Sequence, residues 1–226
     1  MTVTLALLPS PLLGPAAWSQ VGTVLADRGW AVAIPPAFGR IRSFHDVLAH
    51  WERALPDADY VLVPHSNAGL YVPALGERRD VVGTVFVDAA LPPMSGSAPL
   101  AAPPLYRMLS GLADASGVLP RWTEWWEETD LAGLFPDTET RARVAAEQVR
   151  LPLSYFADRI PIAPGWTRRP SAYLAFGDTY ARERGTAARN GWPVRTLTGG
   201  HLLMLTRPEP VASAVEELLG SMGLHR

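Results

Sequence analysis

Six short apolar runs punctuate the chain, at residues 2–8, 31–34, 60–63, 81–87, 172–176 and 194–197. Each is too short for a buried helix and is bounded by proline, glycine or polar residues, as expected of strands buried on both faces. Amphipathic stretches lie between them. Ala17, Val21, Val24 and Leu25 fall at helical spacing within residues 16–28, and Gly29 stands where a helix C-cap belongs. Ser43 can N-cap a helix carrying Phe44, Val47, Leu48 and Trp51. A helix is predicted to follow the third run, over residues 66–75, and another to close the chain over 208–219. Strands alternating with helices predict an α/β protein: a parallel sheet of about six strands, helices on both faces and right-handed crossovers.

The alternation stops between residues 91 and 167. This stretch opens with a loop rich in proline, serine and glycine, then shows helical pieces near 105–112, 122–128 and 138–149, with no convincing strand. An excursion of this length between the fourth and fifth strands predicts a helical cap inserted into a core of residues 1–90 and 168–226. Trp122, Trp125 and Trp126 stand at i, i+3 and i+4, so one helix would turn all three to one side. Such a face can glue the cap to the body or line a pocket for an apolar small molecule.

Composition narrows the chemistry. The formal charge is −2 on 226 residues, which gives no basic surplus for nucleic acid. The chain has no cysteine, which excludes disulfides and thiol nucleophiles, and no lysine, which excludes Schiff bases and a Walker phosphate loop. Residues 1–14 lack a basic start and are broken by Pro9, Pro11 and Gly14, so they read poorly as an export signal. No run approaches a membrane span. The expectation is a cytoplasmic protein that contacts neither membrane nor nucleic acid; its oligomeric state is open.

The third apolar run ends in Val61-Leu-Val-Pro-His-Ser-Asn-Ala-Gly69. A strand that stops at a serine among small residues resembles the nucleophile elbow of the α/β hydrolases, G-x-S-x-G, with Ser66 as nucleophile. A serine after a strand can also merely cap a helix. Pro64 stands where the motif usually has glycine, so the turn must tolerate proline's fixed φ. A second segment, Thr198-Gly-Gly-His201, follows the last strand, and a glycine-flanked loop histidine is poorly explained as core. Two aspartates end strands: Asp178 after Ala175-Phe-Gly, and Asp88 within Phe86-Val-Asp-Ala-Ala. The chain order Ser, Asp, His favours Asp178, with Asp88 the alternative acid.

These segments resemble the α/β-hydrolase superfamily over nearly the whole chain, with a sheet that begins at what is usually the third strand. The resemblance implies a Ser66–His201–Asp178 triad that cleaves an ester, thioester or lactone of a mainly apolar small molecule, with no cofactor. Trp122, Trp125, Trp126 and Leu202 are the expected pocket residues. One departure stands out. The family commonly places His-Gly after the first strand, where the next backbone N–H helps to bind the oxyanion; this chain has Pro9-Ser10-Pro11-Leu12. Pro11 has no N–H. Donors are then expected from Asn67 and from Leu12 or the Ser10 hydroxyl. That departure keeps a rival in view, a lyase on the same fold resembling hydroxynitrile lyases; because a fold does not fix a function, a silent binding protein is the other. His45 and His50, five apart, do not share a helix face, which argues against a metal pair. His65 is expected to support the loop.

Overall fold

The computed structural model describes residues 3–225. Its main sheet holds six parallel strands: β1 (Thr4–Leu8), β2 (Ala31–Ala33), β3 (Tyr60–Ser66), β4 (Val81–Ala89), β7 (Ser171–Phe176) and β8 (Val194–Leu197). They run side by side in the order β2-β1-β3-β4-β7-β8. All six expected runs are strands, although Thr2 of the first lies outside the described residues.

Each interior strand is apolar on both sides because each side has its own core. Ala6, Leu8, Tyr60, Leu62, Phe86 and Tyr173 face one cluster; Leu5, Leu7, Val61, Val63, Val85, Leu174 and Phe176 face the other. Alternate residues point to opposite faces, so one continuous run serves two cores. The first core is closed by α2 (Phe44–Ala54), with Trp51 fully buried, and by α3 (Val72–Leu75). The second is closed by α1 (Ser19–Asp27), α9 (Leu203–Thr206) and α10 (Pro208–Ser221). Ser43 caps α2 as expected; the Asp46 carboxylate accepts the backbone N–H groups of Arg42 and Ser43, satisfying donors that the helix leaves over.

Residues 91–167 depart from the sequence expectation in two ways. They contain two strands, β5 (Gly96–Pro99) and β6 (Arg159–Ile162), paired antiparallel. Between these lie α4 (Pro103–Leu112), α5 (Glu128–Leu131), α6 (Thr138–Glu147) and α7 (Leu153–Ala157). The tryptophans occupy a 3₁₀ turn, Trp122–Glu124, and its exit, with no long helix to align them. Trp122 packs against the second core and meets Trp126 edge-on, whereas Trp125 packs against Phe156 on the first core and donates to the Pro120 carbonyl. Trp126 is the exposed one. The final helix, α8 (Ala181–Arg189), joins β7 to β8. Among the described residues, no helix is long and apolar enough to cross a membrane.

Candidate active site

β3 ends abruptly at Ser66, whose φ of 59° and ψ of −129° lie where a residue with a side chain is strained. The chain then turns directly into a 3₁₀ segment, Asn67–Tyr71, that leads into α3; the expected single helix over 66–75 is thus two short pieces. This turn lifts the Ser66 side chain above the sheet. Its neighbours must be small because β4 crowds it: Ala68 is fully buried, and a Cβ added to Gly69 would collide with the Ala90 carbonyl oxygen. Ala90 N–H in turn donates to the Ser66 carbonyl at 3.0 Å. Pro64 fits because it lies at the end of the strand, beside Leu8, where the ladder is about to break.

His201 Nε2 stands 3.0 Å from Ser66 Oγ, and His201 Nδ1 stands 2.6 Å from Asp88 Oδ2. A carboxylate oxygen accepts, so Nδ1 carries the hydrogen, and Nε2 keeps a lone pair toward the serine hydroxyl. Asp88 has no exposed surface, and its other oxygen accepts the Phe176 N–H at 3.0 Å. The turn that aims it is also strained, with φ at 40°. Tyr173 pins that turn from below: its hydroxyl donates to the Ala89 carbonyl at 2.7 Å and accepts the Ala89 N–H at 3.0 Å. Both partners of His201 therefore rise from adjacent central strands.

Asp178, favoured by sequence order as the acid, stands elsewhere. Its side chain is 85% exposed and pairs with Arg184, whose guanidinium also donates to the Gly177 carbonyl. Gly177, at φ 66°, starts this turn, and any Cβ there would come within 2.9 Å of the Gly199 carbonyl. The loop swings Asp178 outward and brings Tyr180 inward instead. The Tyr180 hydroxyl lies 3.3 Å from Ser66 Oγ, and its ring lies 5.6 Å from that of His201.

His65 is wholly buried, and its Nε2 donates to the His201 carbonyl at 2.9 Å. Burial, then the neighbouring His201, holds its imidazole well below the usual histidine range. A neutral His65 thus fixes the backbone of the loop that carries His201.

The loop after β1, residues 9–12, behaves as its prolines dictate. Leu12 N–H points to Ser10 Oγ at 3.3 Å, and Leu13 N–H to the Ser10 carbonyl at 2.8 Å, while Pro11 has nothing to donate. Ser10 is buried, and a hydroxyl that accepts one hydrogen bond can also donate one. Asn67 begins the 3₁₀ turn, so its backbone N–H is outside the helical ladder. Its side chain is clamped by residues 91–167: Asn67 Nδ2 donates to the Leu100 carbonyl, and Tyr155 donates to Asn67 Oδ1 while its hydroxyl meets that of Tyr71 at 2.6 Å. Glu147 reaches from α6 to accept the Ala16 N–H at 2.7 Å. Leu202, expected in the pocket, is fully buried in the second core beside His201. Sequence reasoning missed Tyr155 and Tyr180; a tyrosine in an otherwise polar strand-end loop was the available signal for the latter.

No protein-family model matches the chain, and no curated protein matches it. Solved structures do. An extracellular α/β-hydrolase from a Paenibacillus species, described as sharing homology with tobacco salicylic acid binding protein 2, superposes with a TM-score of 0.72 at 16% identity, over 97% of this chain and 98% of that one. Polyneuridine aldehyde esterase gives 0.71 at 15% identity, over 96% and 99%. A pyrethroid hydrolase from Sphingobium faniae JZ-2 gives 0.70 at 17% identity, over 97% and 98%. At this identity the likeness establishes the fold alone: the chain has the α/β-hydrolase fold over nearly its whole length.

Proposed function

We propose that this α/β-hydrolase-fold protein is a serine hydrolase that cleaves an ester, thioester or lactone of a mainly apolar small molecule. The observation that carries the reading is the unbroken line from Ser66 Oγ through the two His201 nitrogens to Asp88, with 3.0 and 2.6 Å steps. A solved esterase and a pyrethroid hydrolase on the same fold support it.

In this reading Ser66 attacks the acyl carbon as its proton passes to His201 Nε2. Asp88 holds the imidazole in the required tautomer and stabilises its charged form. The oxyanion rests on Asn67 N–H, with the Ser10 hydroxyl as second donor. The charged His201 then protonates the departing group, and water releases the acyl chain by the same route. Residues 91–167 act as a cap: the Tyr155–Asn67 hydrogen bond ties it to one donor residue, and the Glu147–Ala16 hydrogen bond ties it to the turn that follows the 9–12 loop. No cofactor enters the scheme, and the cysteine-free composition suits work in the cytoplasm.

A fluorophosphonate probe tests the reading. Peptide mapping is expected to find the label on Ser66 alone, and p-nitrophenyl esters are expected to turn over. Ser66→Ala should lose both while keeping its circular dichroism spectrum. Turnover retained in that variant would refute the assignment. The donor-poor 9–12 loop favours one second reading, a lyase that uses Ser66 and His201 for proton transfer. It would turn over its substrate without an acyl-serine and leave simple esters untouched.

A further inference from the structure

Tyr180 has a role that the triad leaves unassigned. Its hydroxyl makes one side-chain hydrogen bond among the described residues, to Ser66 Oγ, at 3.3 Å. That is beyond the 2.5–3.0 Å range of a firm O–H···O bond. Tyr180 is half-buried, and a tyrosine hydroxyl turned inward ordinarily has a firm partner. This one is held loosely, against the reacting atom, and is free to turn to an oxygen placed beside it. Burial, reinforced by Asp88 and partly offset by Ser66, pushes its ionisation up to about 12, so near neutral pH it is a donor.

The sheet order says which oxygen it meets. β3 delivers Ser66 and lies between β1 and β4. The proline-bearing donor loop leaves β1, on one side of the nucleophile. Tyr180 leaves β7 and His201 follows β8, both on the other side, with their rings 5.6 Å apart. Tyr180 therefore does not replace the N–H that Pro11 lacks. It stands on the flank where His201 returns the proton.

We propose that Tyr180 is a further catalytic residue, whose hydroxyl hydrogen-bonds the leaving-group oxygen of an oxyester as His201 protonates it. The proposal rests on the serine-hydrolase reading. As the Ser66 Oγ–carbon bond forms and the carbon–oxygen bond breaks, the serine proton travels through His201 to the departing oxygen. Tyr180 keeps its own proton throughout. Such a site suits esters of poorer leaving groups, which need this help, over activated ones.

The test compares kcat/KM for phenyl acetate and p-nitrophenyl acetate in the wild type and in Tyr180→Phe, which keeps the ring against His201. Loss of one preorganised donor is expected to cost about 100-fold on phenyl acetate and about 10-fold or less on the activated ester. Fluorophosphonate labelling of Ser66, which expels fluoride, should stay near the wild-type rate. Equal losses on both esters, no loss, or loss of labelling in the folded variant would overturn the proposal. Tyr180→Leu supplies the same comparison should the phenylalanine variant not fold. A wild-type protein that neither labels nor turns over would refute the serine-hydrolase reading instead, so the two failures are distinct.

Discussion

Asp88 and Asp178 both end a strand, yet only one can hold His201, and burial separates them. Asp88 has no exposed surface and spends both oxygens, one on His201 and one on the Phe176 amide; Asp178 lies in solvent beside Arg184. Asp88→Asn is therefore expected to lower kcat for ester hydrolysis by about 10³- to 10⁴-fold, because the amide stabilises the wrong tautomer. Asp178→Asn should change it less than about twofold, since an exposed ion pair contributes little. Steady-state kinetics of the two variants checks both, and the reverse ranking would remove Asp88 from the mechanism. The meeting of Ser66 and His201 was legible because each stands in a distinctive local setting: a strand-end serine among small residues and a histidine between glycines and a helix. Chain order points to Asp178, whereas the structure sets the buried Asp88 against His201. Asp88 is the lone charge in the apolar run of β4, and a carboxylate there must find donors. That signal was present in the sequence.

At the scale of elements, the elbow works because β3, β4 and the 3₁₀ turn approach too closely for any side chain at position 69. Gly69→Ala should destabilise the protein by about 1–3 kcal/mol, as overpacking does when the obstructing atom belongs to the backbone. Esterase activity should fall with it, because the same turn positions Ser66 and the Asn67 amide. Urea denaturation and kinetics check this; an unaltered midpoint would mean that β4 yields at Ala90. The main strands were legible because burial on both faces writes an uninterrupted apolar run. β5 and β6 were not: Gly-Ser-Ala-Pro carries little strand propensity, Pro161 breaks the short Arg-Ile-Pro-Ile run, and pairing across some sixty residues leaves no local trace. The three tryptophans suggested one helix face, yet the 3₁₀ turn sends Trp122 and Trp125 to opposite cores.

For the whole molecule, buried ionisable groups predict how stability depends on pH. Burial holds Tyr71 and Tyr155 above the ordinary tyrosine value, and holds Tyr173, with Asp88 adding to it, above that value too; Tyr180 is pushed up to about 12. Unfolded tyrosines release protons near pH 10 while the folded ones retain them, so stability must fall as pH rises above about 10. His65 has the opposite sign: its folded value is depressed, so the unfolded chain takes up the proton first and stability falls below about pH 6.5. Urea midpoints at pH 5.5, 8 and 10.5 should be highest at pH 8; a flat profile would contradict the burial of these groups. The central claim, acyl transfer through Ser66, is tested most directly by intact-mass spectrometry of protein acid-quenched milliseconds after mixing with p-nitrophenyl butyrate. The account predicts one butyryl group, mapped to Ser66, that decays with turnover and is absent in Ser66→Ala. Turnover with no adduct at any quench time, undiminished in Ser66→Ala, would contradict it.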